Sequence, residues 1–183
     1  MSKKNKNGNL LFLIFLICFS IASINMFSLK NKTISKKSSS DNINKILSKE
    51  LSDEISILKT EKDSNNLYAL YKNSNNHYSL ASFKRNNLLY NRYEFNENLI
   101  NDNIKKFNFL SFKNDTSSKI ILFGDFSRTT ASLIKITCGD EVKEVSLNKK
   151  EPIIKIIDFP LKDSNDVTVQ VFDEFQNEIS NAL

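Results

Sequence analysis

The stretch from Leu10 to Leu29 leaves this chain the fewest choices: it reads LLFLIFLICFSIASINMFSL, with Ser20, Ser23, Asn25 and Ser28 as its only polar residues. A helix of about twenty residues rises about 30 Å, the thickness of a bilayer's hydrocarbon core. On insertion scales each central Leu, Ile or Phe favours the membrane by roughly 0.3–0.6 kcal/mol, so the unbroken run from Leu10 to Phe19 contributes about 3–5 kcal/mol. Residues 10–29 are therefore expected to form a transmembrane anchor whose partner is the lipid bilayer.

Cys18 invites a lipoprotein reading, and its neighbours argue against it. A lipid-modified cysteine needs a small residue immediately before it, whereas Cys18 follows Phe15, Leu16 and Ile17 and sits inside the apolar run. Its thiol reads as a small apolar filler. Ordinary signal-peptide cleavage is the stronger alternative, because Ser20 and Ala22 offer small residues behind a basic tail carrying Lys3, Lys4 and Lys6. Cleavage after Ala22 would give a secreted chain. Apolar character resumes through Ile24, Met26, Phe27 and Leu29, which favours retention. Residues 1–9 are then a cytoplasmic tail and the C-terminal domain lies outside the cell. Lys30, Lys32, Lys36 and Lys37 weigh toward the reverse topology.

The formal charge of +5 and the pI near 9.1 do not indicate a nucleic-acid binder. Seven of the 26 basic residues precede Ser38, where there are no acidic ones; beyond it 19 basic residues face 21 acidic, a net of −2. The basic excess flanks the anchor, where lysines meet anionic headgroups. No nucleic-acid partner is expected. With 3 Gly, 2 Pro and no Trp beside abundant Asn, Lys, Ile and Ser, the composition is that of AT-rich coding sequence, as in low-GC Gram-positive bacteria. Cys138 is the sole cysteine beyond the anchor, so no disulfide can form within the ectodomain, and a buried strand position is expected for it.

Residues 30–40 read as a polar spacer. An amphipathic helix follows over 41–60, capped by Ser40 or Asp41, with Ile43, Ile46, Leu47, Leu51, Ile55 and Leu58 at three- and four-residue steps. Such a stripe packs on the protein's own sheet, with a coiled-coil partner as the sharper alternative. Three aromatic strands form a meander: Leu67–Lys72, Tyr78–Lys84 and Leu88–Phe95, extended by Lys106–Lys113. Asn-rich separators serve as its turns, since Asn tolerates left-handed backbone. Tyr68, Tyr71, Tyr78, Phe83, Tyr90, Tyr93 and Phe95 are expected beneath the helix, an exposed binding face being the alternative.

Asn114–Ser118 suggests a boundary between a unit over 41–113 and a second over 117–183. The second holds five candidate strands: Lys119–Phe126, Ala131–Cys138, Glu141–Leu147, Ile153–Phe159 and Val167–Phe172. Gly139-Asp140 signals a tight hairpin, and a two-residue loop would put Ile134, Ile136, Val145 and Leu147 on one face. IILF and IIKII look buried on both faces, and VTVQV half-exposed. The expected class is mainly β (α+β): an N-terminal transmembrane helix, one amphipathic helix, and an antiparallel meander followed by a small immunoglobulin-like β-sandwich.

A basic tail, a single span, a helix ending in SILKTEK, then LYALYK, IILFGDF and a closing FDEFQNEI resembles small single-pass membrane-anchored proteins of low-GC Gram-positive bacteria. In that pattern the last hairpin carries a Gly; here Gln176 and Asn177 fill the turn. The resemblance implies fold and location and brings no catalytic residues.

The residues themselves offer little chemistry. His77 is the single histidine, in a turn, so neither a two-histidine metal site nor, without it, a Ser-His-Asp triad can be assembled. Gly8, Gly124 and Gly139 cannot make a phosphate loop. Asp125, Asp140, Glu141, Asp158, Asp173 and Glu174 fall at strand ends or turns and read as solvated carboxylates; they lack the D-x-D-x-D-G calcium spacing. No catalytic, cofactor or metal residue is assigned. The leading expectation is a non-enzymatic extracytoplasmic protein that binds another envelope protein, a wall polymer or itself. The alternative is a hydrolase of envelope glycans using two carboxylates. The short cytoplasmic tail leaves no room for an output domain, which weakens a signalling role.

Overall fold

The computed structural model describes residues 6–35, 39–89, 91–100, 107–113, 117–127, 129–147, 151–160 and 167–179. The chain is mostly antiparallel β, with an N-terminal apolar helix and one further helix among the described residues. That helix, α1, spans Lys6–Asn31 and includes the whole apolar run. Leu11, Phe12, Phe15, Ile17, Phe19, Ile24 and Phe27 are exposed on all its sides, and none of its apolar window is buried by protein. Ser20 and Ser23 turn their hydroxyls back onto the carbonyls of Leu16 and Phe19, both at 2.8 Å, which satisfies the two polar groups within the helix itself.

The chain does not pass into a free spacer. Thr33–Ser35 is a strand, β1, with Thr33 and Ile34 buried, which corrects the reading of 30–40 as wholly linker; residues 36–38 lie outside the described residues. Helix α2 covers Ser40–Leu51 with Ser39, not Ser40 or Asp41, at its cap position. It buries Ile43 and Leu47 and stops well short of residue 60. Ser52 takes a left-handed conformation (φ 53°) and its N–H and that of Asp53 turn back to the carbonyl of Ser48, closing the helix. The expected helix end SILKTEK is instead β2, Ser56–Lys62. Ile55 and Leu58 kept the helical spacing by coincidence, because a bulge between Ile57 and Lys59 displaces Leu58 from the alternation.

Strands β3 (Asn66–Lys72), β4 (Tyr78–Arg85) and β5 (Arg92–Ile100) complete a five-stranded sheet in the order β1-β5-β4-β3-β2. The third meander strand therefore starts at Arg92 rather than Leu88. Helix α2 touches β2 at one edge and β1 and β5 at the other, so the sheet curls around it as a half-barrel. Beneath the helix lie Tyr71, Phe83 and Tyr93, with Phe95 against them. Tyr68 and Tyr78 point the other way, and Tyr90 is outside the described residues.

The remaining strands are β6 (Phe107–Lys113), β7 (Ser117–Asp125), β8 (Ala131–Cys138), β9 (Glu141–Ser146), β10 (Pro152–Pro160) and β11 (Val167–Asp173). They form two three-stranded sheets, β10-β7-β6 and β11-β8-β9. The segment marked as a boundary joins two paired strands, β6 and β7 meeting from Phe107↔Gly124 to Lys113↔Ser118. Gly139 and Asp140 make the tight hairpin, with Cys138 paired to Glu141 and Gly139 at φ 62°, where a type II′ turn takes glycine. Gln176 takes φ 65° in the last turn and Glu178 bridges back to Phe172, so a side chain other than glycine does close that hairpin.

The three sheets are stacked. Tyr68, Leu70 and Leu80 on the outer face of the half-barrel pack against Ile121, Phe123 and Ile154. On the far side of β7, Ile120 and Leu122 pack with Ile134, Ile136, Val169 and Val171. Ile120 through Phe123 are each 0% exposed, so IILF is buried on both faces as its composition suggests. IIKII, on the edge strand β10, also packs on both faces, Ile153 and Ile157 on one and Ile154 and Ile156 on the other, and only its Lys155 is exposed.

Candidate functional site

Two places in the described residues combine buried polar chemistry with access to solvent or membrane. The first is the joint between α1 and the half-barrel. A helix ends with carbonyls that have no intrahelical partner and with the negative end of its dipole. Arg92, at the start of β5, meets both needs. Its Nη2 donates to the carbonyls of Lys30 (2.7 Å) and Thr33 (2.6 Å), and its Nε donates to Thr33 Oγ1 (2.6 Å). Thr33 Oγ1 in turn donates to the Leu29 carbonyl at 2.9 Å, and the Lys32 N–H lies 3.2 Å from the carbonyls of both Ser28 and Leu29. One guanidinium thus ties the last turn of the apolar helix to the first strand of the sheet.

The second is a cleft of ≈ 230 Å³ between the outer face of the half-barrel and β6–β7, lined by Asn66, Tyr68, Ser82, Asn96, Glu97, Leu99, Phe112, Lys113 and Lys119. Its wall is held by Asp63, which sits in the β2–β3 turn because one of its oxygens accepts the amides of Asn65 (2.9 Å) and Asn66 (2.6 Å). The other oxygen receives Lys119 Nζ at 2.6 Å and the Tyr68 hydroxyl at 3.4 Å. Burial pushes the Asp63 carboxyl up, but Lys119 and the two backbone amides outweigh it and hold it below the usual carboxylate range. Tyr68 is pushed up to about 12, by burial first and by the Asp63 charge second. Both groups therefore keep one protonation state at neutral pH and act as fixed polar walls. Phe112 adds an exposed ring and Asn66, Asn96 and Ser82 add amides and a hydroxyl. With Glu97, Lys113 and Lys119, the lining thus combines amides, hydroxyls and charges of both signs with an apolar face.

The carboxylates marked in the sequence do not gather here. Asp125, at the end of β7, accepts the Tyr78 hydroxyl at 2.6 Å and the Ser127 amide at 3.0 Å. Burial raises its pKa, while Ser127, Tyr78 and the Lys72 charge bring it below the usual range. Asp173 holds the last turn through the amides of Asn177 (2.8 Å) and Phe175 (2.9 Å), and its pKa is lowered, by Asn177 first. Asp140 and Glu141 occupy the β8–β9 hairpin, Asp158 lies exposed on β10, and Glu174 is exposed in the turn after β11. Glu97 is the one carboxylate among the residues lining the cleft. His77 is half-buried in the β3–β4 turn, where its amide donates to Asn73 Oδ1 at 2.9 Å. Cys138 is partly buried at the end of β8 against the core. Among the described residues no three His, Cys, Asp or Glu side chains converge as metal ligands.

Among Asp63, Arg92 and the cleft residues, only Tyr68 has a counterpart in the sequence expectations, as a member of the aromatic set whose alternative was a binding face. Lys119, the partner of Asp63, lies 56 residues away and nothing local announces it. No family model, curated protein or solved structure matches this chain.

Proposed function

We propose that this is a single-pass membrane protein whose β-rich domain lies on the extracytoplasmic side and binds an envelope component, a protein or a wall polymer, without catalysing a reaction. One observation carries the reading: α1 is apolar on every side, uncovered by protein, and leads directly into a buried strand through the Arg92 joint. A helix hydrophobic all round needs either a protein core or a bilayer around it, and no protein surrounds this one. The lysines of the N-terminal tail favour a cytoplasmic N-terminus. Retention is favoured over cleavage because the Ala22–Ser23 bond lies in the middle of an unbroken helix.

The cleft beside Asp63 is the candidate binding site. A hydrolytic reading would need two carboxylates facing each other across a substrate, and Glu97 stands without a second among the lining residues. The strand order supports an immunoglobulin-like sandwich for β6–β11. Taken as strands A to F, the first, second and fifth share one sheet and the third and sixth share the other, with β9 beside the third as a C′ strand. The Phe172–Glu178 bridge begins where a seventh strand would pair. Such sandwiches serve as binding modules on many surfaces.

The test uses full-length protein in its native cells. Expected are retention in the membrane after alkaline extraction, an intact mass that includes the residues before Ser23, cleavage of the domain by protease added outside, and crosslinked partners lost with Asn96→Ala. A soluble chain beginning at Ser23, or turnover of a wall glycan by the purified protein, overturns the reading.

A further inference from the structure

Among the described residues outside α1, the most exposed large apolar side chain is Leu88, 79% exposed, in the loop between β4 and β5. This loop is built rather than loose. Asn86 is buried, and its Oδ1 accepts the amides of Leu88 (2.9 Å) and Leu89 (2.8 Å) while its Nδ2 donates to Glu94 at 2.8 Å. Asn91 takes the left-handed conformation (φ 58°) that returns the chain to β5, and the Arg92 amide donates to the Leu89 carbonyl at 3.2 Å. The result is a fixed turn that holds a leucine out from the surface.

Its position gives that leucine a use. The residue that closes the loop, Arg92, is the one whose guanidinium grips the carbonyl of Lys30 in the last turn of α1. Leu88 is thus four residues from a side chain bonded to the end of the apolar helix. Lys30 and Lys32 are exposed at the same end. Apolar side chains that reach the headgroup and acyl boundary beside cations are the composition by which peripheral elements hold to a bilayer.

We propose that the turn at Asn86–Leu89 is a second membrane contact, with Leu88 entering the bilayer interface beside α1 and Lys30 and Lys32 facing anionic headgroups. The Arg92 joint then sets the angle at which the domain stands on the membrane. The inference rests on the reading of α1 as a membrane span.

The test places one environment-sensitive fluorophore on full-length protein carrying C18S, C138S and L88C, reconstituted in phosphatidylcholine–phosphatidylglycerol vesicles with brominated lipids. The control carries F175C instead, because Phe175 is comparably exposed (77%) but belongs to the turn after β11, in the sheet farthest from α1. Expected are quenching and a blue shift at position 88 and neither at 175, with the signal at 88 reduced by Arg92→Ala. A water-exposed, unquenched probe at 88 in protein that floats with the vesicles overturns the proposal and leaves the anchor standing. Equal quenching at both positions overturns it as general adsorption. Protein that does not float overturns the anchor reading and this proposal together.

Discussion

Two runs in this chain are almost equally apolar, LIFLICF in α1 and IILF in β7, and they have opposite surroundings. Every residue of the second is sealed between two sheets, whereas the first meets no protein at all. Composition alone does not distinguish them. Length and period do: four residues between turn signals fit a strand buried on both faces, and twenty without a charge fit a bilayer. The same hydrophobic effect acts on both, with protein as the apolar medium for IILF and, on the function proposed above, lipid for LIFLICF.

The largest effect should come from putting charge into the exposed apolar run of α1. L13K with L16K adds roughly 5–7 kcal/mol against insertion, more than the about 3–5 kcal/mol that the run from Leu10 to Phe19 contributes. Fractionation should show the protein lost from the membrane while its melting temperature is unchanged. Phe123→Ala should do the reverse. A fully buried phenylalanine reduced to alanine costs about 3–5 kcal/mol, so the melting transition should fall steeply while membrane retention stays intact. A double result in which either variant moves both readouts would break the division between the two runs.

What could be read beforehand follows the same line. The strands from β6 to β11 were legible because their alternation and turn residues are local, and the Gly139-Asp140 hairpin fixed a register within two residues. Helix α2 was overrun because Ile55 and Leu58 keep helical spacing past a stop made by Ser52, a residue with no strong sequence signal for the left-handed region. Strand β1 was missed because Thr33–Ser35 is three residues among lysines and serines, and it becomes a strand only by pairing with Arg92–Glu94. The cleft was invisible for a similar reason. Asn66, Glu97 and Lys119 share no motif, and the stacking of Tyr68 and Leu70 on Ile121 and Phe123 brings them together.

Ion pairs between the half-barrel and the sheet that contains β7 and β10 extend the comparison to charge. Asp63 and Lys119 meet at 2.6 Å with side chains 11% and 27% exposed. Asp63→Asn should cost about 1–3 kcal/mol at pH 7, because it leaves a partly buried ammonium without its counter-charge. The pH dependence has a definite sign. The folded carboxyl lies below its unfolded value of about 3.9, so its contribution is present above that value and is lost as pH falls through the folded one. Denaturation of both proteins from pH 7 to pH 2 should show the gap closing below about pH 4. A gap that stays constant would mean that packing, not charge, is what the substitution removed.

Lys59 and Glu151 make the contrasting pair, joining β2 to the start of β10 at 3.6 Å with side chains 39% and 45% exposed. Here both ions keep most of their water, so the attraction is weak and is offset by the ordering of two long side chains. Glu151→Gln should lower stability by no more than about 0.5 kcal/mol in low salt, and 1 M salt, with a screening length of about 3 Å, should erase the difference. The Asp63→Asn loss should survive the same salt, since that pair is shielded from solvent ions by the sheets it joins. Equal salt sensitivity in the two variants would show that solvent ions screen the Asp63–Lys119 pair as fully as the exposed one.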